Sequence, residues 1–192
     1  MRQLNYTKAV IIVAGKSELQ ICQYLKNKFR LKIEIFSDKH GEKGIQITSL
    51  KNTLNNKIFK SQRSFLKEYD DVVINEDFKI FIIMDTDDCS EEQKNKFMNK
   101  EMFKDHWAYP YIVPIYDIPQ LEGILTKANI PFEKKGDKRK KEYVKLFPTD
   151  PKYIKSDKIQ VEELIKKLRK EKDTNLDLFF EFCISCASSN KL

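Results

Sequence analysis

Apolar residues along the chain fall into runs whose period changes from strand-like to helix-like and back. Lys8–Val13 is a β-branched run closed by Gly15, and it predicts a buried strand. Beyond it Ile21, Leu25 and Phe29, with Cys22 beside them, recur at helical spacing. Ser17, followed three residues on by Gln20, predicts a capping box at the start of that helix. Leu31–Phe36 alternates and predicts a second strand, followed by a loop, SDKHGEKG. Residues from Ile45 to about Tyr69 carry helical periodicity in two pieces. Phe78–Asp85, FKIFIIMD, is apolar on both faces, as a central parallel strand is. Ser90–Phe103 predicts a polar helix with Ser90 as its N-cap. Tyr111–Asp117 predicts a further strand, and Pro114 within it argues for an edge position or a bulge. A short helix over Pro119–Ala128 follows, then a basic helical patch, FEKKGDKRKKEYVKLFP, then helices over Gln160–Lys172 and Leu176–Cys186, and a tail, SSNKL, expected to fray.

This order of elements predicts an α/β fold with a mostly parallel central sheet flanked by helices. Residues 1–130 would form that unit, and residues 131–192 a helical, basic extension packed on it or continuous with it. Of the 192 residues, 41% are apolar, including 13 Phe and 8 Tyr, which is enough for a sizeable core. The formal net charge of +7 favours an anionic partner, most commonly nucleic acid; the rival explanation is solubility alone. No apolar run approaches the roughly 18–20 residues needed to cross a bilayer, and the N-terminal run is too short and interrupted for a secretory signal. The expectation is a cytoplasmic protein with no membrane partner. Cys183 and Cys186 form a lone CxxC inside a helical apolar pattern, where cysteine acts more often as a small buried hydrophobe than as a zinc ligand.

Two stretches carry candidate chemistry. Ala14-Gly15-Lys16-Ser17 invites a phosphate-loop reading, but that motif needs a second glycine five residues before Gly15, and Val10 stands there inside the strand. Asp85, Asp87 and Asp88 lie at the carboxyl end of the strongest strand, the end at which parallel α/β folds bind ligands. In extended geometry Asp85 and Asp87 point the same way. Two such charges about 4 Å apart repel by about 4 kcal/mol at an effective dielectric near 20, so a proton or a divalent cation must offset them. Hard oxygen donors suit Mg²⁺ or Mn²⁺. The competing reading is a solvated Asp-rich turn capping the next helix.

Taken together, a hydrophobic strand running into Gly15 with Glu18 three residues on, and a later hydrophobic strand ending in Asp85-Thr86-Asp87, resemble the Toprim family, in its nuclease branch of OLD-like and PARIS-type phage-defence effectors. The resemblance covers roughly residues 8–125, with the Ile45–Tyr69 insert lengthening the stretch between the motifs. It implies a Toprim-like sheet and a metal-dependent nuclease acting on DNA or RNA, with an ATPase partner and, compatibly, a homo-oligomer. It implies Mg²⁺ (or Mn²⁺) held by Glu18, Asp85, Asp87 and Glu122, the last on the helix after the next strand, with Lys16 facing the phosphate. Ala14 falls where the family places its first catalytic glutamate. Either the chain is inactive, or the chemistry has moved to Glu18, or residue 14 is an introduced Glu-to-Ala change that disables catalysis. A non-catalytic nucleic-acid-binding or regulatory subunit of the same fold is the main alternative, and a primase-like polymerising enzyme a further one.

Lys134, Lys135, Lys138, Arg139, Lys140 and Lys141, with Lys145, form a basic cluster expected to contact phosphates. Tyr143 and Phe147 within it are either bases' stacking partners or, more in keeping with their spacing, the buried face of a helix. His40 reads as a loop residue and His106, beside Trp107, as packing or surface.

Overall fold

The computed structural model describes residues 6–136, 142–147 and 157–189. Four parallel strands form the central sheet: β1 (Ala9–Val13), β2 (Ile33–Phe36), β3 (Lys79–Asp85) and β4 (Ile112–Asp117), in the order β2-β1-β3-β4. The α/β expectation with a parallel sheet therefore holds. β1 and β3 are the central strands, and every residue of β1 is buried. β4 is an edge strand, which accommodates the missing N–H of Pro114.

Alternation along the strands divides the core in two. Ala9, Ile11, Val13, Phe81, Ile83 and Ile115 face one layer. On that layer lie α1 (Lys16–Phe29), α5 (Leu121–Lys127), α6 (Asp157–Leu168) and α7 (Leu176–Ser189). Val10, Ile12, Ile80, Ile82 and Met84 face the other. There lie α2 (Leu50–Leu54), α3 (Gln62–Glu68) and α4 (Glu91–Met98), with an aromatic cluster built on Phe59, Phe65 and Trp107. His106 is packing, as expected: its ring lies against Trp107, and its Nε2 is 3.2 Å from the Leu54 carbonyl. Cys183 is fully buried in the first layer.

Several local expectations are corrected. Gly15, not Ser17, is the N-cap of α1, because the Glu18 carboxylate accepts the Gly15 N–H at 2.9 Å and closes the first turn itself. Ser17 is freed for another bond and accepts the backbone N–H of Val144 at 2.9 Å. The helix expected from Ser90 does start there, with Ser90 and Gln93 forming a capping box, but it ends at Met98, and Glu101–Phe103 is a separate 3₁₀ turn. The basic stretch after Pro131 is not helical where described. Glu133–Lys135 (β5) and Tyr143–Lys145 (β6) pair as an antiparallel hairpin. Alternation explains this: Val144 is buried between the half-buried Tyr143 and Lys145, a period-two pattern that prevails over the four-residue spacing of Tyr143 and Phe147. Its residues Val144, Leu146 and Phe147 share the first core layer with α1, α6 and α7, so the chain after residue 131 packs into the same core as the sheet.

Two features fix the carboxyl rim of the sheet. Gly41, at φ +80°, lies so close to the start of α1 that a Cβ there would be 3.1 Å from the Lys16 Cα. Along the outer edge of β4, residues 173–175 act as a strap. Ile118 N–H donates to the Asp173 carbonyl at 2.8 Å, and Tyr116 N–H to Asn175 Oδ1 at 2.9 Å. Asn175 Nδ2 in turn donates to the Pro114 carbonyl at 3.0 Å, and Thr174 forms an antiparallel bridge with Asp117.

Candidate active site

The strand order reverses between β1 and β3, since the chain moves from β1 outward to β2 and then returns to the far side of β1. In open α/β sheets the crevice outside the carboxyl ends at such a switch point is the preferred ligand site. The β1 end leads into Gly15 and α1, the β3 end is Asp85, and the β4 end is Asp117. Asp85 and Asp117 are register partners on adjacent parallel strands, which lie about 4.8 Å apart. Both point to the layer that holds α1 and α5, because they continue the series Phe81, Ile83 and Val113, Ile115. α1 contributes the buried Glu18, and the first turn of α5 contributes the half-buried Glu122.

Hydrogen bonds orient these carboxylates. Asp85 Oδ1 accepts the Leu121 N–H at 2.9 Å, joining the end of β3 to the start of α5. Asp117 Oδ1 accepts the Thr174 hydroxyl at 2.6 Å, and that hydroxyl oxygen also accepts the Leu176 N–H at 3.0 Å at the start of α7. Asp117 Oδ2 is buried with no partner among the described residues. Such an oxygen is costly unless a proton or a cation reaches it.

The electrostatics agree. Burial pushes Asp85 up to about 8, with Glu18, then Asp87 and Glu122, adding to the rise and the Leu121 N–H opposing it. Burial likewise pushes Glu18 up to about 7, helped by Asp117 and Glu122 and opposed by its own backbone N–H and that of Gly15. Asp117 is raised to about 7 by burial, with Asp85 and Glu122 adding and Thr174 opposing. Glu18, Asp85, Asp117 and Glu122 therefore form one interacting group. As they stand, no three acidic, His or Cys side chains among the described residues are arranged to enclose a metal ion.

Neither sequence motif singles out Asp117. Its signal is the same as that of Asp85, an acidic residue closing a hydrophobic strand, but the register that sets the two side by side is not written in either motif. Asp87 departs from the expected extended geometry. β3 ends at Asp85, Thr86 folds back by donating its N–H to the Pro119 carbonyl at 2.9 Å, and Asp87 lies exposed in the following turn. It still contributes to the field on Asp85. In the same turn Asp88 Oδ1 is buried without a partner among the described residues. Ala14 packs against the second core layer, the face opposite Glu18. The Lys16 ammonium lies 4.6 Å from the centre of the Tyr143 ring. Of the basic cluster, Lys134 and Lys135 are exposed on β5, whereas Lys138, Arg139, Lys140 and Lys141 lie outside the described residues.

No family model, curated protein or solved structure matches the chain. Among the described residues, no helix is long and apolar enough to cross a membrane.

The Thr174 bond offers a direct test of how the rim is held. Thr174→Val leaves both oxygens of Asp117 without a partner among the described residues. It is expected to lower stability by about 1–3 kcal/mol, read as an earlier midpoint in urea denaturation at neutral pH.

Proposed function

We propose that the chain is a Toprim-like, metal-dependent phosphodiesterase acting on nucleic acid, in the manner of the OLD-like and PARIS-type defence effectors its motifs resemble. The observation that carries this reading is the convergence of Asp85 and Asp117, with Glu18 and Glu122 beside them, at the switch point of a parallel sheet. The buried Asp117 Oδ2, without a partner among the described residues, supports a cation in that group, and the all-oxygen donor set suits Mg²⁺ or Mn²⁺ rather than zinc. Glu18, Asp85, Asp117 and Glu122 would hold it, with Asp87 swinging in from its turn. When bound, such an ion lowers the pKa of water and stabilises the departing oxygen. In hydrolysis the water oxygen bonds to phosphorus, the ester P–O bond breaks, and a carboxylate takes the water's proton while the leaving oxygen gains one. Lys16, at the start of α1, would meet the phosphate. The net charge of +7 supports a polyanionic substrate. An ATPase partner belongs to the same reading through the family resemblance.

A titration with Mg²⁺ or Mn²⁺ tests the site. The melting temperature is expected to rise with metal concentration, and this response is expected to vanish in Asp85→Ala. An unchanged melting temperature over the titration would favour the second reading, a non-catalytic subunit, which Ala14 specifically supports because a methyl group neither binds metal nor moves a proton.

A further inference from the structure

Away from the acidic rim, α1 and the β5–β6 hairpin enclose a cleft of about 330 Å³. Its α1 wall is Gln20, Gln23, Tyr24 and Asn27, spaced i, i+3, i+4 and i+7, so they form one stripe along the helix. Its other wall includes Lys135, Tyr143 and Lys145 from the hairpin. The composition is unusual for this chain: 34% of residues are charged, yet the α1 residues that line the cleft are three carboxamides with Ile21 and Tyr24, and the Lys16 and Lys28 ammoniums stand at its margins. Carboxamides both donate and accept, which matches the mixed hydrogen-bonding edge of a nucleobase. Lysines facing them across the gap match the phosphates that accompany each base. Tyr24 is already held flat against Phe147, ring centres 4.2 Å apart.

Lys16 lies on the same helical stripe, one turn before Gln20, and its ammonium sits over Tyr143, which lines the cleft. The hairpin is pinned at this point by the Val144–Ser17 bond. A strand leaving the cleft would pass Lys16 and turn over Gly15 to reach Asp85. The ion pair of Lys135 with Glu133, at 2.8 Å, is exposed and is no obstacle to a phosphate taking its place.

We infer that this cleft takes an unpaired nucleobase of a single-stranded nucleic acid, with Lys135 and Lys145 on its flanking phosphates and Lys16 leading the strand to the acidic rim. This assignment rests on the nuclease reading and names its substrate as single-stranded. At 330 Å³ the cleft lies at the small end of the roughly 300–1,000 Å³ that ligand sites occupy, which suits one base and not a duplex.

The test is fluorescence anisotropy of the full chain, without divalent metal, on labelled oligothymidylate, oligouridylate and a duplex, each about ten nucleotides long. The single strands are expected to bind more tightly than the duplex, and the sugar preferred between the two identifies the source of the base. Gln23→Glu combined with Asn27→Glu, both at exposed helix positions, is expected to weaken single-strand binding about tenfold while leaving the melting temperature and its metal response unchanged. Equal binding of duplex and single strand, or an unaffected double variant, overturns the cleft assignment. Failure of the nuclease reading shows separately, as a melting temperature that does not respond to Mg²⁺ or Mn²⁺.

Discussion

Ala14→Glu is expected to switch on Mg²⁺- or Mn²⁺-dependent cleavage of a single-stranded oligonucleotide, by about 10²–10⁴-fold over the chain with alanine. The backbone at this position is held on both sides. Its N–H donates to the Ile83 carbonyl at 3.0 Å, and its carbonyl accepts the Ile45 N–H at 2.7 Å. A longer side chain there leaves both backbone bonds in place and adds a carboxylate to the carboxyl rim of the sheet, on the face opposite Glu18. Gel analysis of a labelled oligonucleotide with and without EDTA measures the effect. If the variant folds, retains the metal-dependent rise in melting temperature and still cuts nothing, residue 14 is not the missing base, and the non-catalytic subunit becomes the better description.

Without metal, stability is expected to fall as pH rises from about 4 to about 8. Glu18, Asp85 and Asp117 are raised in the folded protein to about 7, about 8 and about 7, above their ordinary carboxylate values. The folded state therefore binds more protons than the unfolded state across that window. Stability then decreases with pH, is fully present below the ordinary carboxylate pKa, and is lost once pH passes the raised values. Moving one carboxyl pKa by a single pH unit is worth about 1.4 kcal/mol, so the combined effect is on the order of a few kcal/mol. Melting temperatures over this range in EDTA should decline, and added Mg²⁺ should restore more stability at about pH 8 than at about pH 5, where protons occupy the same oxygens. A melting temperature that rises steadily over the window would mean that these carboxylates are not buried together.

Much of this fold is legible in the chain because two periodicities are strong. The two-sided apolar run Phe78–Asp85 suits a central strand, and Pro114 directs β4 to an edge. The basic segment misleads because its charge masks its alternation: the single buried Val144 between Tyr143 and Lys145 is the only apolar signal of β6, too short to outweigh a run of lysines. The site is legible in part for a similar reason. Glu18 and Asp85 each stand at the end of a readable strand–turn unit, whereas Asp117 gains its meaning only from register with Asp85, and register is a relation between distant segments. Asp87 escapes a local reading because its turn depends on the Thr86 N–H finding the Pro119 carbonyl, again a contact between distant residues.

The strap along β4 also governs assembly. The outward-facing amides of Tyr116 and Ile118 and the carbonyl of Pro114 are already consumed by Asp173 and Asn175, and proline has no N–H to offer. Another polypeptide cannot extend the sheet from this margin without first peeling away the segment that also anchors Asp117 through Thr174. Growth by strand addition, whether by a second copy or by a peptide, is thus closed at this margin, and the acidic rim is kept out of any joint there.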